Sequence, residues 1–367
     1  MAQRVSASVP SVSTAPLQRA KTARIGALTL LTGVLIVAFI AVLVMGSVNI
    51  PLNEVLTTVL GGDASREAWT NIVLKVRLPK ATTAALAGAA LSVAGLLMQT
   101  LFRNPLADPF ALGISSGASL GVALMVLSAG TAGGALLTGF GLRGDLAVTA
   151  AASIGAGLVM LLALAAARRV SGSVTLLILG LMFGYISGAL VTLLMHSAIP
   201  ERIQAYTNWT FGSFGGVTWG QMPIFAAAVV TGLIAALALG KSLNALLTGE
   251  AVARSLGLNV RRARVGIVIA AALLAGSVTA FCGPIGFIGI AVPHVCRGIL
   301  RTSDHRTLIP AALLMGAAAA LIAALIAEMP GTRTVLPLNA ITALAGAPVV
   351  IWIVMRGRAA RAAFGDA

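Results

Sequence analysis

The chain has 367 residues, of which 58% are hydrophobic and 10% are charged, and its mean hydropathy is +1.00. A soluble domain of this length cannot bury so much apolar surface, so the composition predicts a polytopic membrane protein. Two cysteines, Cys282 and Cys296, lie in or beside apolar segments, which argues against a disulfide framework. The net charge of +15 suggests nucleic-acid binding at first sight, but membrane topology explains it better.

Apolar runs of about 17–23 residues predict an all-α fold with about ten transmembrane helices. We expect a disordered basic segment at 1–24, a transmembrane domain at 25–356 and a short tail at 357–367. Short surface helices are predicted after Pro51 and after Pro200, between spans. The predicted spans are 25–46, 79–101, 110–129, 145–167, 173–195, 220–240, 263–282, 284–300, 307–328 and 336–355.

The positive charges are distributed unevenly between the two sides of the predicted membrane. With the amino terminus in the cytoplasm, 18 of the 25 Lys and Arg residues fall in cytoplasmic segments and seven in external ones. This bias follows the positive-inside rule. It predicts a cell-membrane protein with both termini in the cytoplasm, and it accounts for the high net charge.

The longest polar interruption after the first hundred residues is the segment 241–264, predicted to be cytoplasmic. Thr248 is expected to cap a short helix with Glu250 in its first turn, and Gly257 is expected to end it. Val252 and Leu256 form a small apolar stripe on that helix. Two interpretations stay open, a loop on the membrane surface and a helix that docks a soluble partner.

Six sequence motifs occur along the chain in a fixed order. The first is G-E-x-x-A-x-x-L-G-x-x-V-x-x-x-R, from Gly249 to Arg264. The others are R-L-P-K (77–80), M-Q-x-L-F-R-N-P-L-A-D-P (98–109), L-G-I-S-S-G-A (112–118), G-P-I-G-F-I-G-I-A-V-P-H-x-x-R (283–297) and L-A-G-A-P (344–348).

Together, in this order, the six motifs resemble the FecCD family of membrane permeases. The resemblance covers most of the chain between residues 77 and 352 and implies a permease of an ATP-driven importer. Expected partners are a cytoplasmic ATPase dimer, an external substrate-binding protein, and a second permease that is identical or homologous. The expected cargo is an Fe(III)–siderophore complex, with haem or cobalamin as the alternative. The resemblance also implies that the 241–264 segment carries the helix that contacts the ATPase, with coupling residues Thr248, Gly249, Glu250, Ala251, Arg254, Leu256 and Gly257.

The same resemblance assigns a cytoplasmic gate and a translocation path. The turn at 104–109 contains two prolines, and Asn104 and Asp108 can satisfy backbone groups that the prolines free. A rigid connector is the alternative interpretation of this turn. Glycines at four-residue spacing allow close helix approach, either at the interface between two permeases or within one subunit. The implied gate residues are Asn104, Pro105, Leu106, Ser171, Ser173 and Thr175, and the implied path residues are Gly180, Gly184 and Gly188.

Basic residues near the external ends of spans are candidates for contacts with the binding protein. The resemblance points to Arg77 and Lys80 in R-L-P-K, with Arg333 as a substitute for an arginine that related permeases carry near the end of the ninth span. Anchoring at the membrane interface is the alternative role for these side chains.

Nothing in the sequence predicts an enzyme, a cofactor or a metal site. Gly240-Lys241-Ser242 lacks the first glycine of a phosphate-binding loop, since Ala235 stands there. His294 and the cysteines match no zinc spacing, and His196 and His305 are expected to face solvent. An ion-coupled secondary transporter is a remote alternative, because every Asp and Glu falls in a loop or at a span end.

Overall fold

The computed structural model describes residues 15–128, 144–169, 173–329 and 335–355, and the regular structure within these ranges is helical. The first half contains α1 (Ala15–Val44), α2 (Leu52–Val59), α3 (Glu67–Ile72), a π-helical turn (Val73–Arg77), α4 (Leu78–Leu101), a 3-10 turn (Pro109–Leu112), α5 (Ile114–Leu127), α6 (Asp145–Arg169) and α7 (Ser173–His196). The second half contains α8 (Pro200–Thr210), α9 (Met222–Ala238), α10 (Gly240–Leu247), α11 (Glu250–Ser255), α12 (Val260–Cys282), α13 (Ile288–Leu300), α14 (His305–Glu328) and α15 (Leu338–Met355).

Within the described residues, six helices are long and apolar enough to cross a membrane. A seventh crossing results if α9 and α10, which meet at a 51° bend, form one broken span. Three shorter apolar helices, α5, α13 and α15, coincide with other predicted spans. The all-α membrane fold is confirmed, while the total of ten crossings stays a prediction.

Helix α4 lies at the centre of the protein, and every residue from Ala87 to Leu101 is buried. Small residues let its neighbours approach closely. A Cβ atom at Gly88 would overlap with the carbonyl of Gly316 in α14, and one at Gly95 would overlap with the backbone of Gly289 in α13. Such contacts between glycines replace the hydrophobic driving force that a bilayer does not supply.

Several predicted boundaries need correction. Helix α1 begins at Ala15, so residues 15–24 are helical rather than disordered. Residues 67–101 form one continuous helical stretch, so R-L-P-K lies inside a helix and not at its external end. Residues 240–247, expected to lie in a loop, are helical because Leu243 and Leu246 have a buried face to pack. The short helices after Pro51 and Pro200 are confirmed, and both cysteines are buried and unbridged.

Candidate coupling and gate region

Helix α11 is the short helix predicted within the polar segment 241–264. Gly249 precedes it with φ +105°, a left-handed conformation that glycine adopts without strain. The predicted Thr248 cap is wrong. Thr248 ends α10 instead, where its hydroxyl donates to the carbonyl of Ala245 at 2.8 Å. Gly249 is the N-cap residue of α11, and no side chain caps its first turn. Gly257, with φ +85°, follows the helix end as predicted.

Glu250 joins α11 to the membrane helix that follows it. Its carboxylate accepts hydrogen bonds from Arg254 at 3.1 Å and from Arg264 at 2.7 Å. The Arg264 side chain is only 5% exposed, whereas that of Arg254 is 62% exposed. The pair with Arg264 is therefore the stronger restraint, because solvent screens an exposed pair much more than a buried one.

The outer face of α11 is apolar and open. Ala253 is fully buried against the protein, while Ala251, Val252 and Leu256 point outward, with Leu256 69% exposed. A two-turn helix is too short to be stable alone, so its inner face and the ion pair hold it in place. This leaves Val252 and Leu256 available to a partner.

The 104–109 turn is closed by its own polar side chains, as the sequence predicted. The Asn104 Oδ1 atom accepts from the amide of Leu106 at 2.9 Å, and Asp108 Oδ1 accepts from the amide of Phe110 at 2.8 Å. Burial raises the pKa of Asp108 to about 6, and the Phe110 amide partly offsets that effect. Leu106 is exposed at the tip of the turn, beside Pro105.

One side chain links this turn to the coupling segment. Arg103 has a positive φ of 48°, which reverses the chain at the end of α4. Its guanidinium donates to the carbonyl of Leu247 at 3.4 Å and lies near Gly249. Nothing in the sequence marks Arg103 for this contact, since a basic residue after a membrane helix is ordinary for the predicted cytoplasmic side.

The 104–109 turn, called the gate turn below, is followed by the 3-10 turn, which packs on α7 at Gly180. Gly180 is the first of the three glycines at four-residue spacing, called the glycine face below. A Cβ atom at Gly180 would overlap with the carbonyl of Ala111, so Gly180 serves packing within this subunit. Gly113, with φ +76°, lies in the same contact. A Cβ at Gly184 would lie 3.4 Å from Ser116 Oγ, and nothing lies within 4 Å of one at Gly188. The glycine face thus divides into an internal half and an open half.

Of the remaining predicted gate and docking residues, some lie within the described part of the chain and others do not. Thr175 is exposed in the first turn of α7, which Ser173 begins. Ser171 and Arg333 lie outside the described residues, as does the tail at 357–367.

Arg77 does not present its charge to the exterior, which corrects its predicted docking role. It is 6% exposed, and its guanidinium donates to the carbonyls of Leu43 at 2.7 Å and Val44 at 2.8 Å, and also to that of Val48. These carbonyls belong to the last turn of α1 and the chain just after it, where the helix leaves acceptors unsatisfied. Arg77 therefore caps α1.

Lys80, three residues further on, is partly buried and forms an ion pair with Glu328 at the end of α14. The pair connects α4 to α14. Lys80 thus has a partner inside the chain, and its predicted contact with a binding protein stays a proposal.

Comparison with known proteins agrees with these features. A model of the FecCD transport family matches residues 34–356, nearly the whole membrane domain. The chain belongs to the FecCD transport family.

Its relatives are permeases of ABC transporters. The permease is 37% identical to the vitamin B12 import system permease BtuC of Klebsiella pneumoniae over 286 residues, covering 78% of this chain and 83% of that one. It is 33% identical to the hemin transport system permease HmuU of Yersinia pestis over 336 residues, or 90% and 97% of the two chains. It is 35% identical to the uncharacterized permease YvrB of Bacillus subtilis over 320 residues, or 85% and 88%.

A solved structure gives the same assignment. The permease superimposes on a metal-chelate type ABC transporter in an inward-facing conformation with a TM-score of 0.76 and 25% identity, covering 90% of this chain and 98% of that one. This protein is therefore the multi-pass membrane permease of an ABC importer, which works with a separate ATPase, a substrate-binding protein and a second permease.

The permease also contains a buried polar cluster that the sequence analysis missed. His305, expected to face solvent, is buried, and its Nδ1 lies 2.8 Å from Asn244 Oδ1 while its Nε2 lies 2.7 Å from Thr100 Oγ1. The Asn244 amide nitrogen donates to Asp304 at 2.6 Å, which orients its oxygen toward His305. In neutral His305, Nδ1 therefore donates to Asn244 and the Thr100 hydroxyl donates to Nε2. The cluster ties the bent helix α10 to α4 and α14.

Proposed function

We propose that this FecCD permease imports a metal chelate, with an Fe(III)–siderophore complex as the first candidate. The observation that supports this proposal is the open face of α7. Large apolar and aromatic side chains cover it, including Tyr185 at 71% exposed, with Met182, Ile186 and Leu193 around it. Such a surface suits a bulky ligand that encloses its metal in an organic shell, because a bare cation needs charged or oxygen ligands in place of its water.

The coupling mechanism follows from the contacts of α11. We infer that the ATPase docks on Val252 and Leu256, and that Glu250 transmits the displacement of α11 to Arg264. Helix α12 would then carry that displacement inward, since Ile267, Val268 and Leu274 are fully buried. A packed interior moves as a unit rather than deforming gradually, so a small shift at the surface can change the state of the path.

Arg103 connects the coupling segment to the gate turn at 104–109. The same displacement of α10 and α11 acts on Arg103 through the Leu247 carbonyl, and Arg103 precedes Asn104, Pro105 and Leu106 directly. The 3-10 turn beyond them rests on Gly180 of α7. One chain of contacts therefore supports coupling between the ATPase-facing helix and the helix proposed to line the path.

Uptake by proteoliposomes tests the substrate. The permease, its ATPase and its binding protein are reconstituted together, and ATP-dependent uptake of radiolabelled Fe(III)–siderophore, haem and cobalamin is measured in parallel. We expect siderophore uptake that requires ATP and the binding protein. A preparation that accumulates none of the three chelates with ATP overturns the metal-chelate proposal.

Haem or cobalamin is the second candidate, favoured by the names of the relatives HmuU and BtuC. Uptake of one of these compounds without siderophore uptake would replace the first candidate with the second. Titrating the cognate binding protein with each chelate gives an independent answer. The proposed docking of that protein near Lys80 and Arg333 is tested by reversing each charge and measuring the association rate at low salt.

A further inference from the structure

A cavity of about 670 Å³ opens beside the coupling helix, and arginines dominate its wall. It lies where the end of α6, the chain after α11 and the start of α12 meet. Its lining residues are Arg168, Arg169, Arg254, Leu258, Asn259, Val260, Arg261 and Arg264.

The positive charge of this arginine cavity exceeds the negative charge beside it. Five of the eight lining residues are arginines and none is Asp or Glu. Glu250 reaches two of them, Arg254 and Arg264. Arg261 donates to the main-chain carbonyl of Arg168, which holds two walls of the cavity together without neutralising either side chain. The cavity therefore has a net positive potential.

The chemistry of the lining favours phosphate. Arginine offers a planar fork of N–H donors that matches two oxygens of a phosphate group, and it stays charged at any physiological pH. Helix α6 is long and apolar enough to cross a membrane, and it ends at Arg168 and Arg169, so the cavity lies at the level of lipid headgroups. Basic pockets at the cytoplasmic ends of membrane helices bind anionic headgroups by this mechanism.

We propose that the arginine cavity is a binding site for a phosphate-bearing anion. A bound anion would contact the coupling helix α11 through Arg254. The phosphate could come from an anionic lipid headgroup or from a soluble phosphate, and the two sources are separated below. This inference does not depend on the substrate proposed above. It needs only the membrane location of the permease and the positions of these arginines.

Lipid retention by the full-length permease tests the site. The purified protein in detergent is mixed with cardiolipin or with phosphatidylcholine, and bound lipid is counted by native mass spectrometry. We expect the wild type to retain cardiolipin and not phosphatidylcholine. Losing one charged hydrogen bond to phosphate should weaken binding about tenfold, so Arg261→Gln and the double variant Arg168→Gln/Arg169→Gln should lose most of the bound cardiolipin.

Arg262→Gln is the matched control. Arg262 is exposed in the same first turn of α12 but does not line the cavity, so its loss removes an equal charge from the same surface. Where the wild type retains cardiolipin, retention that falls equally in Arg262→Gln and Arg261→Gln, or that falls in neither, overturns the proposal. A melting temperature measured for every variant shows that the comparison concerns folded protein.

Pyrophosphate is the probe that tests whether the cavity binds a soluble phosphate. Thermal stabilisation of the wild type by pyrophosphate, lost in Arg261→Gln and kept in Arg262→Gln, supports the site and assigns it to a soluble phosphate if cardiolipin is not retained. Retention of cardiolipin with no effect of pyrophosphate assigns it to lipid. Absence of both effects in the wild type overturns the proposal.

Discussion

Glu250 and Arg264 are fourteen residues apart and form an ion pair at 2.7 Å, with the arginine almost completely buried. The pair fixes the orientation of a two-turn helix against the membrane domain. An acidic residue in the first turn of a helix needs no such partner to be favourable there. Its contact with the buried Arg264 side chain gives Glu250 a structural role in addition to the coupling role proposed for it.

Replacing Glu250 by glutamine should therefore lower the stability of the permease as well as its coupling. We expect a loss of about 1–3 kcal/mol, less than for a fully buried pair because the carboxylate is partly exposed. Arg254→Gln, which breaks the exposed pair alone, should cost under about 1 kcal/mol. Thermal unfolding of the purified variants measures both. Equal effects in the two variants would contradict the special role of Arg264.

The apolar stripe on α11 should carry the contact with the ATPase. Leu256→Asp adds a charge to a side chain that is already exposed, so the isolated permease should keep its melting temperature. Association with the ATPase should weaken about tenfold or more, because a charge in an apolar contact loses its hydration. Co-purification and a binding titration measure the change.

Leu60→Asp is the matched control for that experiment, since Leu60 is even more exposed and lies on the side predicted to be external. Wild-type ATPase affinity in Leu256→Asp, or an equal loss in Leu60→Asp, would show that α11 does not form the contact.

Two glycines of α7 should respond in opposite ways to the same substitution. Gly180→Ala places a methyl group against the Ala111 carbonyl, and overpacking of this kind costs about 1–3 kcal/mol. Gly188→Ala meets open space and should be neutral, or stabilising by up to about 1 kcal/mol through helix propensity.

A bulkier change at Gly188 tests the proposed interface with the second permease. Gly188→Leu should preserve the folded subunit but reduce pairing of permeases, as measured by crosslinking or by the mass of the detergent complex. Normal pairing and uptake in Gly188→Leu would place this half of the glycine face against lipid.

Local chemistry made the gate turn predictable from the sequence. The Asn104 and Asp108 side chains accept hydrogen bonds from amides two residues further along the chain, a pattern that depends on side-chain type and spacing alone. The apolar runs likewise located the helices, since length and hydropathy decide membrane insertion.

Contacts distant in sequence were not predictable in this way. The resemblance implied that Arg77 faces the binding protein, whereas only the folded position of α1 brings its carbonyl partners, 29 or more residues earlier, within reach. His305 meets Thr100 across 205 residues, a pairing that no local pattern marks. Both errors have one cause: the sequence shows a polar side chain but not the distant backbone that satisfies it.

Arg77 gives a prediction that distinguishes capping from docking. Arg77→Gln leaves carbonyls of α1 without a charged donor and should destabilise the permease by about 1.5–3 kcal/mol. For the fraction that remains folded, the association rate of the binding protein should equal that of the wild type at low and high salt. A slower, salt-dependent association with an unchanged melting temperature would restore the docking role.

The last prediction concerns pH and the Asp108 carboxyl at the gate turn. Its pKa is raised to about 6 in the folded protein, mainly by burial, against an ordinary value of 3.8. Between these values the folded state binds more protons than the unfolded state, so stability is greatest below about pH 4 and falls as pH rises toward 6 and beyond. The whole effect should be about 3 kcal/mol or less, from a shift of roughly two pH units.

Asp108→Asn should remove this slope, while Asp304→Asn should leave it unchanged from pH 5 to 7. Burial disfavours the charge of Asp304 too, but hydrogen bonds from Asn244 and the Arg306 amide outweigh it and lower the pKa, so Asp304 does not titrate in that window. Melting temperatures of the three proteins from pH 4 to 8 measure the difference. A wild-type curve parallel to that of Asp108→Asn would mean that water reaches this carboxyl and that the gate turn is more open than its buried proline and hydrogen bonds indicate.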